Sequence, residues 1–91
     1  MIILRYELRV GANELELPVS ALPVHVGAKI GDIPDRVHLW VSVLDGYESE
    51  PRQKTRFCVA ATGESVSGTY IGTALVEGGR FVWHVFDMEE A

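Results

Sequence analysis

Apolar residues recur at every second position through most of this chain, and apart from a short turn near Ser20 no stretch keeps helical spacing behind a cap. Period two places successive side chains on opposite faces, so the chain is built of strands with one face for a core. Leu4, Tyr6, Leu8 and Val10 alternate with Arg5, Glu7 and Arg9; Gly11-Ala12-Asn13 reads as a turn; Leu15, Leu17 and Val19 then alternate with Glu14 and Glu16. That opening reads as a hairpin with one wet face. Pro18 and Pro23 bracket its end and favour an edge or a bend. Val24, Val26, Ala28 and Ile30 alternate with His25, Gly27 and Lys29 as a third strand, closed by the turn Gly31-Asp32-Ile33-Pro34-Asp35.

The fourth strand spans 37–44, with Val37, Leu39, Val41 and Val43 on one face and His38, Trp40, Ser42 and Leu44 on the other. Residues 45–54 read as a polar loop, 55–61 as a fifth strand and 62–68 as a second loop. Two last strands, 70–76 and 81–86, flank Glu77-Gly78-Gly79-Arg80, a two-residue hairpin turn with opposite charges across its neck. The pattern therefore predicts a compact all-β antiparallel sandwich or partly open barrel of six to seven strands with a C-terminal hairpin. It is one domain over 1–91, with 86–91 as an acidic, frayed tail.

Composition narrows the function classes. Thirteen acids against eight bases give a formal charge of -5, which argues against a nucleic-acid polymer as partner, since phosphate contacts need clustered cations. Cys58 is the single cysteine and has no internal disulfide partner, which suits a reducing cytosol. Arg5, Glu7 and Arg9 interrupt what a signal peptide would need as a continuous apolar region, and no run of about 18 apolar residues is present to span a membrane.

Counting back from a turn centred on Gly78 and Gly79 pairs Ala74 with Trp83, Thr73 with His84, Gly72 with Val85 and Ile71 with Phe86. Gly72 and Ala74 then leave space for the Trp83 indole. On the other face Ile71, Leu75, Val82 and Phe86 surround Thr73 and His84, which read first as partners satisfying each other and second as a ligand site. Strands 37–44 and 81–86 are apolar on both faces, more than one sheet buries alone. Two sheets stack, or a face meets another copy, a homodimer being the commonest closed solution. Trp40 is the candidate for such a contact; its alternative is a place under a loop of its own chain.

Chemistry-bearing clusters are missing from the sequence. His25, His38, His84 and Cys58 stand singly, without metal-ligand spacing, and Ser65 and Ser67 lie outside any nucleophile elbow. The expectation is a protein that is not an enzyme and takes no metal or cofactor. Two features suit binding. Arg52, Lys54 and Arg56 alternate as a basic stripe able to grip a phosphate or an acidic surface, or else simply to blunt an edge. The small-residue loop from Thr62 through Gly63 and Ser65 to Thr69 could turn backbone N–H groups toward an anion, or merely connect two strands.

The chain resembles small phage and prophage accessory proteins grouped as a domain of unknown function. The residues that carry the likeness are Thr62-Gly63, Tyr70-Ile71-Gly72-Thr73 and Val82-Trp83-His84-Val85-Phe86, with weaker matches at Glu16-Leu17-Pro18 and Leu39-Trp40-Val41. Similar proteins often carry His and Pro after the Thr-Gly pair, where this chain has Glu64-Ser65. The resemblance implies a non-catalytic accessory protein in the host bacterial cytoplasm, acting by stoichiometric binding of a host factor, as in blocking an antiviral defence. Alternatives are a sponge for a nucleotide immune signal, held by the stripe, the 62–69 loop and Trp40, and a minor structural virion module. Candidate binding residues are thus Trp40, Arg52, Lys54, Arg56, Thr62, Gly63, Ser65, Tyr70 and His84, in an assembly expected to be a homo-oligomer, a dimer favoured.

Overall fold

The computed structural model describes residues 1–29 and 33–88. Among the described residues seven strands form in order: β1 (Ile2–Arg9), β2 (Gly11–Pro18), β3 (Leu22–Gly27), β4 (Arg36–Val43), β5 (Arg52–Ala61), β6 (Thr69–Val76) and β7 (Phe81–Asp87), with a 3₁₀ turn at Tyr47–Ser49. They build two antiparallel sheets, β1-β4-β3 and β2-β5-β7-β6, stacked as an open sandwich. Among the described residues no helix is long and apolar enough to cross a membrane.

The expected opening hairpin does not form. β1 pairs with β4 (Leu8↔Val37, Leu4↔Val41), whereas β2 pairs with β5 (Asn13↔Phe57, Leu17↔Gln53). Alternation fixes which face of a strand is buried, and Leu8 and Leu17 do share one core, but they reach it from opposite sheets. The crossing is made at Gly11, whose φ of 98° is open to glycine and strained for other residues. Asn13 then replaces the missing strand partner: its Oδ1 accepts from Arg9 N at 2.9 Å and its Nδ2 donates to Arg9 O at 2.8 Å.

The aliphatic face of β4 is the floor of the core, with Val37, Leu39 and Val41 at 0% exposure and Val43 at 1%. Phe57, Val59, Ala74 and Val85 meet it from the other sheet. At about 25 cal/mol per Å² of apolar surface, this contiguous cluster is the main source of stability in a chain this size. β3 is shorter than expected and irregular between Pro23 and His25, so Val24 is exposed while Val26 is buried. Of its expected residues Ile30, and of the following turn Gly31 and Asp32, lie outside the described residues; Pro34 and Asp35 do form a turn, closed by Arg36 N donating to Ile33 O at 3.0 Å.

The closing hairpin keeps the predicted pairs Ala74↔Trp83, Thr73↔His84 and Gly72↔Val85. It departs at Ile71, where a bulge gives Phe86 to Tyr70 instead and turns the Ile71 side chain toward the core. The turn spans Glu77 to Arg80, with positive φ at Glu77 as well as at both glycines. Gly72 makes room for Val26 of the facing sheet, whose Cβ lies 3.0 Å from where a Gly72 Cβ would stand, and not for Trp83. Trp83 instead donates from Nε1 to Pro34 O at 2.7 Å. The last strand runs one residue past its expected end, to Asp87.

Candidate functional site

Strand parity sorts the candidate residues. Phe57 and Val59 face the core, so the alternate residues of β5, Arg52, Lys54, Arg56, Cys58 and Ala60, face outward. β5 begins at Arg52, three residues before its expected start, which makes the basic stripe part of a sheet. Glu14, opposite Arg56 on β2, meets Lys54 Nζ at 3.8 Å and Arg56 Nε at 3.6 Å.

Next along the same outer face stand Phe86 and His84 of β7, then Tyr70 and Thr73 of β6. A chain of side-chain hydrogen bonds joins three of these residues to Thr62. Thr62 Oγ1 lies 2.9 Å from His84 Nε2, His84 Nδ1 lies 2.9 Å from Thr73 Oγ1, and Thr73 Oγ1 lies 2.5 Å from Tyr70 Oη. The expected Thr73–His84 pair is therefore present, in a half-exposed outer face and not in the interior. Tyr70 also meets Phe86 edge-on, with ring centroids 5.7 Å apart.

Residues 62–68 explain why Thr62 reaches His84. β7 lies between β5 and β6, so the connection from the end of β5 to the start of β6 must cross β7, and the outer face is the free one. The crossing buries Ala60 and sets Glu64 near Cys58. Burial, with the Glu64 charge second, holds the Cys58 thiol above its ordinary pKa. Glu64 also closes the turn itself: its Oε1 accepts from Ala61 N at 3.1 Å, and its backbone N donates to Ala61 O at 3.2 Å. Gly63 (φ 94°) and Ser65 lie on this exposed loop.

Eight of the nine candidate residues thus share one outer face. Trp40 is the exception. It lies on the outer face of the three-stranded sheet, across the sandwich, so it cannot stack on a ligand held by the stripe of its own chain. There it packs half-buried beside His25 (centroids 5.3 Å) and His38 (5.9 Å), over Gly27. The sequence reading missed this trio, although His38 and Trp40 share a strand face two residues apart. Among the described residues no group of three or more His, Cys, Asp or Glu could hold a metal ion.

Two grooves, each of about 510 Å³, flank the start of β5. The inner one opens between the sheets against Leu17, Ala21, Leu22, Phe57 and Ile71. The outer one is lined by Glu14, Lys54, Arg56, Asp87 and Met88.

An antiparallel sandwich with one outer face organised by side-chain bonds defines a β-rich domain class, and its whole length matches one family. The chain belongs to the domain of unknown function DUF7352, whose model covers residues 1–91. No curated protein and no solved structure is significantly similar to it.

Proposed function

We propose that this chain is a non-catalytic accessory protein of a bacterial virus that binds a host factor stoichiometrically through the outer face of its four-stranded sheet, in the host cytoplasm. The viral origin and the host setting rest on the resemblance of its Thr-Gly, Tyr-Ile-Gly-Thr and Val-Trp-His-Val-Phe segments to phage and prophage proteins.

One observation carries the reading. Tyr70 and Leu75 are 55% and 63% exposed, beside the half-exposed Val82 and Phe86, and the polar side chains among them are fixed by the Thr62–His84–Thr73–Tyr70 bonds. An exposed apolar patch rimmed by polar groups is the usual mark of a partner site. A tyrosine already held in one orientation loses little entropy on docking.

The test is capture from bacterial lysate followed by native mass spectrometry of the complex. The expected result is one partner in fixed ratio, retained by Trp40→Ala on the opposite face and lost on Leu75→Glu. Equal retention by both variants, or no partner in fixed ratio, would overturn the proposal.

A further inference from the structure

Among the described residues the sandwich has four strand edges, on β1, β3, β2 and β6, and three of them are ill suited to a further strand. β3 is irregular between Pro23 and His25, and β6 is bulged between Tyr70 and Gly72. β2 carries Glu14 and Glu16 on its outer face and ends on Pro18, so a second β2 laid along it would set acid against acid. β1 is different. Its eight residues pair with β4 without a break from Ile2↔Val43 to Arg9↔Arg36, and among the described residues no strand lies on its other side. Lys29 follows β3, across β4 from this edge, Ile33 opens the turn into β4, and Met88 lies against β5 of the other sheet. Arg9 presents its N–H and C=O to the Asn13 side chain, while Val10 N donates toward the β4 side, to Asp35 O at 3.2 Å. Alternation then turns the main-chain groups of Ile3, Arg5 and Glu7 the same way as those of Arg9, away from β4. A long, unbroken edge of this kind is a template for another strand.

We propose that this edge pairs two copies of the chain, β1 antiparallel to β1 about a two-fold axis at Tyr6, which joins the two three-stranded sheets into one continuous sheet. Charge fixes the register. Ile3, Arg5, Glu7 and Arg9 share the outer face of β1, and directly opposite residues of paired strands share a face. With Tyr6 opposite its own copy, Arg5 of each chain stands opposite the partner's Glu7, and Leu4 stands opposite the partner's Leu8 on the core side. An axis at Arg5 or at Glu7 sets that charge against itself, and an axis at Leu4 leaves the pair opposite Ile3 and Met1. An axis at Leu8 needs the Arg9 main-chain groups that Asn13 already holds. Arg5 is exposed and meets no carboxylate among the described residues, while Glu7 holds Arg36 Nε at 3.3 Å through one oxygen and has the other to offer. Leu4 and Tyr6, half-buried where the core reaches this edge, gain cover from the same contact. The edge belongs to the sheet opposite the proposed partner face, so the two proposals stand or fall separately.

The experiment is sedimentation velocity of the full chain over a concentration series reaching about 1 mM, beside amide exchange read by NMR. A concentration-dependent dimer is expected. Exchange of the Arg5 and Glu7 amides should slow as concentration rises, while that of Leu4 and Tyr6, whose main chain faces β4, stays constant. Arg5→Glu, at an exposed position, should raise the dimer dissociation constant about tenfold, because two unlike pairs become like pairs. Arg5→Glu/Glu7→Arg exchanges the charges across the axis and should restore the constant to within about threefold. A chain that is monomeric throughout would overturn the proposal. So would a dimer that ignores Arg5→Glu, which Trp40→Ala would then assign to the ring face of β4 or exclude from it. A charge exchange that stays as weak as the single variant removes the register and the proposal with it. Arg5 and Glu7 amides protected equally at every concentration would mean that the chain covers this edge itself.

Discussion

The two outer faces of this sandwich solve the same problem by different means. On the three-stranded sheet, Trp40 packs with His25 and His38 over Gly27, and the neighbours on β4, His38 and Ser42, are only 7% and 8% exposed. On the four-stranded sheet the corresponding centre is a polar chain, Thr62–His84–Thr73–Tyr70, with exposed Tyr70 and Leu75 left around it. Ring packing covers a surface and gains from area removed from water. Directional bonds fix side chains without covering them. A face held in the second way stays open to a partner while keeping its shape, which is why the host-factor proposal falls on that side.

The largest break in this contrast is expected at Gly68, where the crossing loop rejoins the sheet. Its φ is 123°, and a Cβ there would overlap the Asp87 carbonyl oxygen. Gly68→Ala should cost about 3–4 kcal/mol from backbone strain and the displaced end of β7, measured by urea unfolding. Amide exchange should quicken at Met88 while the β1–β4 ladder is unchanged. Uniform loosening of both sheets would refute a local role for this contact.

Trp40→Ala comes next, at about 2–3 kcal/mol, below the cost for a fully buried tryptophan because the ring is half-exposed. His84→Ala should cost about 1–2 kcal/mol, the worth of two hydrogen bonds on a half-exposed residue. The contrast predicts that unfolding cost and partner loss run in opposite order. Trp40→Ala is the more destabilising and leaves the partner bound, and His84→Ala is milder and weakens it. Calorimetric unfolding beside capture of the partner would show whether the order holds. A smaller effect is expected for Glu14→Gln, which removes the carboxylate facing Lys54 and Arg56 and should change stability by no more than about 0.5 kcal/mol, fading at high salt.

Much of this contrast was readable in the sequence, but unevenly. The closing hairpin follows from two glycines and simple counting, because a tight turn fixes register locally. That logic stops at Ile71, where a bulge, which no composition signal marks, shifts the pairing by one. The β4 floor is equally plain, since Val37, Leu39, Val41 and Val43 stand at period two on one wholly aliphatic face. The opening strands depart from the hairpin because alternation says which face is inward and nothing about which neighbour a strand takes. Gly11 and Asn13 read equally well as a hairpin turn and as a crossover clamp. The His25–Trp40–His38 trio needs β3 to be aligned on β4, a long-range fact. On the other face Arg52, Lys54, Arg56 and His84 follow the parity that the core sets, whereas Tyr70 is turned outward by the bulge and Thr62, Gly63 and Ser65 arrive on a loop that crosses β7, both long-range facts.

Cys58 gives the finest probe of the open face, because it reports the crossing loop without altering it. The thiol sits half-buried on the outer side of β5, and burial first, then Glu64, raises its pKa. A thiol whose folded pKa lies above its unfolded one binds more protons when folded, in the window between the two values. Its contribution is therefore complete below the unfolded pKa and is lost as pH rises through the folded one. Unfolding free energy should thus fall on the alkaline side of the ordinary thiol range, and Cys58→Ala should flatten that slope. Alkylation should be slow at pH 8 and quicken modestly in Glu64→Gln, since the charge is the lesser of the two causes and the substitution keeps the turn at Ala61. A rate in Glu64→Gln that matches the unfolded chain would mean that the loop, and not burial by the sheet, protects the sulfur, and the open face would then be a covered one.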